Sequence, residues 1–294
     1  VSDDVQHTRW SAPGAQRERL SELPSSPTTL ADALANFLMA YGSAKARGVD
    51  VSPEAEEDRN LRSVARLLET AFFRDSRSLT VRRRAAGCLY GTCHDFALLA
   101  VSALRESGIP ARLRVGFASY LRPGRWEDHW VCEHKASGQW AIFDAELNSR
   151  ARTARGITFD GTNIPKSRWQ SAAAIWQKIE AGEIDPAICG ISFANLSGKW
   201  FVARSMLQDA AALAGIETLP WDNWGPALRF GATRQLTEEQ TKDFDALAVT
   251  LNPPPITRAE AENVLTRFPW AKPTPVVVSF PSHHDRREIV LADT

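Results

Sequence analysis

The sequence predicts an α+β fold, and three observations carry that prediction. An apolar, helix-spaced run starts at Cys93 and stops at Gly108-Ile109-Pro110, where proline lacks the N–H and biases its predecessor toward extended backbone. Three segments of strand-like alternation follow, at 111–117, 128–133 and 139–144. Ala136-Ser137-Gly138 between the last two has the composition of a hairpin turn. A helix followed by consecutive antiparallel strands is α+β architecture, not the alternation of a parallel sheet.

The remaining elements are read in chain order. Residues 1–27 are polar and carry Pro13, Pro24 and Pro27, so they are expected to form a poorly ordered arm. Leu30, Leu34, Phe37 and Leu38 recur at helical spacing behind Thr28-Thr29, and Gly48 is a plausible stop. A second helix is expected from Ser52-Pro53-Glu54, with Leu61, Val64, Leu67, Leu68 and Phe72 on its apolar face. Arg82-Arg83-Arg84 reads as a solvated basic run rather than an anion site. Beyond Asn148 the pattern becomes helical and rich in tryptophan, with helices expected over 171–181, 205–215, 238–250 and 257–267. Trp221-Asp222-Asn223-Trp224-Gly225-Pro226 reads as an aromatic turn that latches helices to the core, and the chain after Pro273 as extended or loose. The expected organisation is an arm over 1–27, a catalytic core over 28–150, and a mainly helical extension over 151–294.

Composition excludes more than it identifies. The 294 residues carry 35 basic and 35 acidic side chains, so nothing marks a nucleic-acid binder. No apolar run approaches the length of a membrane span, and Val1-Ser2-Asp3-Asp4 lacks a basic start followed by an apolar stretch. Four cysteines without C-x-x-C spacing fit neither a disulfide scaffold nor a zinc site, and the expectation is a cytoplasmic enzyme with no metal or cofactor.

One constellation carries chemistry. Cysteine catalysis needs a thiol held as thiolate, a base within reach, and a group that orients the base. Cys93 opens the predicted helix, where the N-terminal partial charge favours a thiolate, and Gly91 lets the backbone bend before it. His129 follows on one strand and Asp144 on the next. The competing histidines are His94, which would point elsewhere on the helix, and His134 at the hairpin end. Cys88, Cys132 and Cys189 lack this context and read as structural.

The motifs resemble those of the transglutaminase-like superfamily. Residues 91–99, around Cys93, are similar to its cysteine motif, 104–112 to its helix exit and strand start, 127–133, around His129, to its histidine strand, and 140–144, ending at Asp144, to its aspartate strand. The resemblance covers about residues 85–150 and departs at His94, where bacterial members often carry Arg or Lys. It implies a papain-like core, with the nucleophile helix packed on an antiparallel sheet. It implies a Cys93-His129-Asp144 triad and a thioester intermediate, resolved by water or by an amine. The partners it implies are a small-molecule or peptide acyl donor and an amine acceptor, with no membrane involved. The Cys93 N–H is the first oxyanion donor, Tyr90 a candidate for the second, and Trp130 a candidate pocket residue. Two alternatives remain. One is a catalytically silent transglutaminase-like binding module. The other is an arylamine N-acetyltransferase-like enzyme, whose Arg-Gly-Gly-x-Cys motif is absent. The helical extension suggests a covered site suited to small amide or peptide chemistry, without calcium dependence.

Overall fold

The computed structural model describes residues 3–282 and 285–293. The fold mixes helices and sheets and divides into two compact units. The first comprises residues 1–113 and 131–164, and the second residues 114–130 and 165–293. The sequential boundary expected at 150 does not coincide with this division.

The first unit begins with α1 (Arg17–Leu20), α2 (Pro27–Leu34), β1 (Leu38–Ala40), α3 (Tyr41–Ala46), α4 (Pro53–Glu56) and α5 (Val64–Arg74). It continues with β2 (Leu89–Gly91) and α6 (Cys93–Glu106). Two strands, β3 (Ala111–Ala118) and β4 (Trp126–Ala136), each contribute residues to both units. β5 (Gln139–Phe143) and α7 (Ser149–Arg155) complete the first unit.

The N-terminal stretch is not the loose arm its composition suggested. Trp10, Leu20 and Leu23 are buried. Ser102 of α6 donates to the Ser11 carbonyl at 2.6 Å, and Arg105 reaches the Ser11 hydroxyl at 2.7 Å. Glu106 receives both His7 and Arg17. Polar composition here reflects docking on polar groups of a helix rather than solvation.

Two predicted helices are shorter than expected. The helix from Leu30 stops at Leu34 because the next carbonyls are captured from elsewhere: Arg83 N–H donates to Asn36 and Leu89 N–H to Phe37. Residues 38–40 then pair in parallel with β2. The helix from Pro53 breaks after Glu56 because Asp58 turns inward. Its carboxylate takes the Arg74 guanidinium at 2.5 and 2.7 Å and the Tyr90 N–H at 2.9 Å. Arg83 is also buried: it donates to the Ala71 and Arg77 carbonyls and lies over Phe37 and Phe72, while Arg82 and Arg84 stay exposed.

The predicted hairpin is present. β4 and β5 pair antiparallel from Cys132↔Phe143 to Ala136↔Gln139. Ser137 and Gly138 between them have φ of 49° and 82°, the left-handed pair that a two-residue turn requires to match strand twist.

The second unit adds β6 (Trp169–Ser171), α8 (Ala172–Glu180), β7 (Cys189–Ile191), β8 (Leu196–Ser197) and α9 (Lys199–Leu213). After β9 (Asp222–Asn223) come α10 (Ala227–Thr233), α11 (Glu238–Leu251), α12 (Arg258–Arg267), β10 (Val276–Ser282) and β11 (Asp285–Val290). Here β6 pairs with β3 and β7 with the start of β4. The chain after Pro273, expected to be extended or loose, is extended and pairs as β10 with β11 and β9. α9 is buried from Trp200 to Leu213, a helix enclosed on all sides. One apolar cluster surrounds it, including Trp176, Trp224, Phe230, Phe244 and Leu247. Trp224 is buried in this cluster and donates to the Ala271 carbonyl at 2.9 Å. Arg114 and Asp209 form a buried two-point ion pair, at 2.9 and 3.0 Å, and Asp209 also accepts the Val115 N–H.

Candidate active site

Cys93 occupies the first helical position of α6. Asp95 builds that start: its carboxylate accepts the Thr92 N–H at 2.7 Å, the reach-back arm of a capping box. Gly91 is required by the same carboxylate. A Cβ there would lie 2.7 Å from Asp95 Oδ2 and 3.0 Å from Leu38 Cδ1. The glycine expected for a sharp bend therefore also makes room for the cap of the helix.

All four cysteines are free thiols, and Cys93 alone is not buried. Burial pushes the Cys189 thiol up to about 12 and raises Cys88 as well, which leaves both as inert thiols. Cys132 is enclosed within β4.

Asp144 lies one residue past the end of β5 rather than on it. It is buried, its backbone N–H donates to the Gly161 carbonyl, and its Oδ1 accepts the Glu146 N–H at 2.9 Å. These bonds fix the carboxylate without a strand ladder. Both Cys93 and Asp144 are in the first unit.

His129 belongs to the second unit, in the first half of β4. It is buried, with its carbonyl accepting the Trp169 indole N–H at 3.1 Å. The Tyr120 ring stands perpendicular to the imidazole, with centroids 6.0 Å apart. The preceding Asp128 points to α9 and accepts the Ser205 hydroxyl at 3.4 Å. Burial pushes the Asp128 carboxyl up to about 6, and the Arg204 charge opposes that rise.

The competing histidines have other engagements. His94 is fully buried with Nδ1 3.3 Å from Asp95, and His134 Nε2 is 3.2 Å from the Thr162 carbonyl. Tyr90 and Trp130, the two expected oxyanion or pocket residues, are both buried. Tyr90 uses its backbone N–H on Asp58 and its hydroxyl on the Ala85 carbonyl. Trp169 and Tyr120, which flank His129, were not legible as site residues. The one available signal was Gly116 inside a strand pattern, a mark of close approach by another group.

Among the described residues no group of His, Cys, Asp or Glu could hold a metal ion. No helix among them is long and apolar enough to cross a membrane.

Residues 43–145, just over a third of the chain, match the model of the transglutaminase-like superfamily. Cys93, His129 and Asp144 all fall inside the matched segment. The segment is thus similar to that superfamily over the stretch that holds the cysteine, histidine and aspartate motifs. Among solved structures, the chain is similar to one from Cytophaga hutchinsonii described as a candidate cysteine protease. Identity is 19%, the alignment covers 50% of this chain and 48% of that one, and the TM-score is 0.19. The chain thus spans about half the length of that structure. No curated protein matches the sequence.

Proposed function

We propose that this protein is a cysteine-dependent acyl-transfer enzyme with Cys93 as nucleophile, His129 as acid and base, and Asp144 as the group that orients His129. The observation that carries the proposal is the placement of Cys93. It is the one cysteine of four that is not buried, and it stands at the first position of a 14-residue helix. There the helix dipole stabilises a thiolate.

In this reading the Cys93 sulfur attacks an amide or ester carbonyl, and the carbonyl electrons move to oxygen. The Cys93 N–H, at the start of the helix beside the sulfur, is the donor this reading assigns to that oxyanion. Collapse expels the amine or alcohol, which takes its proton from the His129 imidazolium, and leaves a thioester on Cys93. His129 then removes a proton from water or from an acceptor amine, which attacks the thioester and releases the thiolate. Water makes the enzyme an amidohydrolase or peptidase, and an amine makes it a transferase. The acyl donor in this proposal is a small molecule or a peptide.

Intact mass spectrometry tests the proposal. With p-nitrophenyl acetate or a glutaminyl peptide as donor, the protein should gain an acyl group on Cys93, and adding a primary amine should show which acceptor removes it. Iodoacetamide should label Cys93 at neutral pH. Unchanged labelling and acylation in Cys93→Ala would sink the assignment.

A further inference from the structure

We infer that Trp169 is a positioning residue for His129, and that β3 carries a slot built to seat its indole. The inference rests on the reading of His129 as the base.

Positions 114, 116 and 118 lie on one face of β3, because side chains alternate along a strand. Ala118 is the cross-strand partner of Trp169 and Gly116 that of Ser171. The indole leans from its own position toward Gly116. A Cβ at Gly116 would lie 2.6 Å from Trp169 Cζ2 and 2.2 Å from the Gln170 carbonyl oxygen, closer than any side chain allows. Arg114, at the next position of that face, holds its guanidinium 5.8 Å from the Trp169 ring centroid. The Asp209 carboxylate fixes that guanidinium at two points. A cation, a hole and a small residue thus line up on alternate positions to receive one aromatic ring.

The seated indole directs its N–H at the His129 carbonyl, 3.1 Å away. Trp169 and His129 are both buried, so this bond is shielded from water. It pins the main chain from which the imidazole projects, and the perpendicular Tyr120 ring borders the imidazole itself. A buried indole N–H needs some acceptor, but core packing does not dictate that the acceptor be the His129 carbonyl, nor that a glycine stand opposite the ring. Small misplacements of a proton-transfer group are costly to reactivity, and rigid support guards against them.

Charged neighbours within the unit enter the readout. Glu127 and Asp128 precede His129 on β4, Arg204 of α9 faces Asp128, and Arg114 with Asp209 backs Trp169. The pH profile of Cys93 alkylation by iodoacetamide is therefore recorded for wild type, Trp169→Phe, Asp128→Asn and His129→Ala. Trp169→Phe keeps a ring and removes the N–H. It should melt cooperatively yet alkylate about tenfold or more slowly at neutral pH, with a displaced midpoint. Asp128→Asn should shift the midpoint without slowing the plateau. In the wild-type protein, the Trp169 indole proton resonance should move with the same midpoint as the His129 ring, a measurement that needs no variant to fold. A folded Trp169→Phe protein with the wild-type rate and profile, or an indole resonance indifferent to the His129 titration, overturns the positioning role. If His129→Ala itself keeps the wild-type profile, the base assignment fails, and the positioning role falls with it.

Discussion

The two long buried helices, α6 and α9, are built alike and begin differently. Each is enclosed on nearly all sides, and each carries polar residues inside its buried surface. On α6 these include Ser102 and Arg105, which hold the main chain and Ser11 side chain of the N-terminal stretch. On α9 they are Arg204, Gln208 and Asp209. Arg204 and Gln208 hold the chain around residues 219–223, and Asp209 holds Arg114. Polar groups inside a helix core thus fix which irregular segment lies against it. The starts of the helices differ. α9 begins after Gly198, a residue with no side chain to cap it, and becomes buried at Trp200. α6 is capped by Asp95 and leaves Cys93 partly open. The first arrangement makes a pillar and the second makes a pillar that presents a thiol.

Four substitutions sharpen that comparison. The largest effect is expected at α9. Asp209→Ala strands the buried Arg114 guanidinium and the Val115 N–H, and should cost about 3–5 kcal/mol in chemical denaturation. On α6, Arg105→Ala removes donors to Asp4, Ala111 and Ser11. It should cost about 2–3 kcal/mol and release the N-terminal stretch to limited proteolysis ahead of global unfolding. Equal proteolytic resistance in this variant would break the claim that α6 holds that segment. Gly91→Ala forces a Cβ against the capping carboxylate. It should lower stability by about 1–2 kcal/mol and slow iodoacetamide labelling of Cys93, since the cap and the thiol share one turn.

The smallest effect is a pH dependence. Asp128 has its folded pKa raised from 3.8 to about 6, chiefly by burial. The folded state therefore holds a proton that the unfolded state has released, so this residue's contribution to stability is full below about 4. It fades as the pH rises toward 6. Melting temperatures of wild type and Asp128→Asn should diverge across that window, the variant gaining relative stability at the higher pH. Parallel curves would show that the carboxyl does not titrate there.

The sequence showed where local rules governed. Pro110 ended α6 close to where its backbone constraint required, and Ser137-Gly138 gave the β4–β5 turn and hence its register. The cysteine, histidine and aspartate motifs were legible because each sits beside a helix start or a strand. What failed depended on distant partners. Nothing near Leu34 announced that Arg83 and Leu89 would claim the following carbonyls, and nothing near Glu56 announced that Asp58 would turn toward Arg74. The three-residue strand β6 was hidden by the helix signal of α8 directly after it. The Tyr90 bond to Asp58 was equally hidden, because it spans 32 positions of sequence.

Strands β3 and β4 each begin in one unit and end in the other, and this decides how the gene can be divided. A fragment ending at residue 150 keeps 114–130, and with them His129, but discards the Trp169 and Asp209 partners of that segment. A fragment starting at 151 lacks the strand on which β6 forms. No single cut yields two intact units, so neither could have been acquired or lost by joining one uninterrupted stretch of coding sequence to another. Shuffling in the laboratory has to respect three breakpoints where a modular protein would need one.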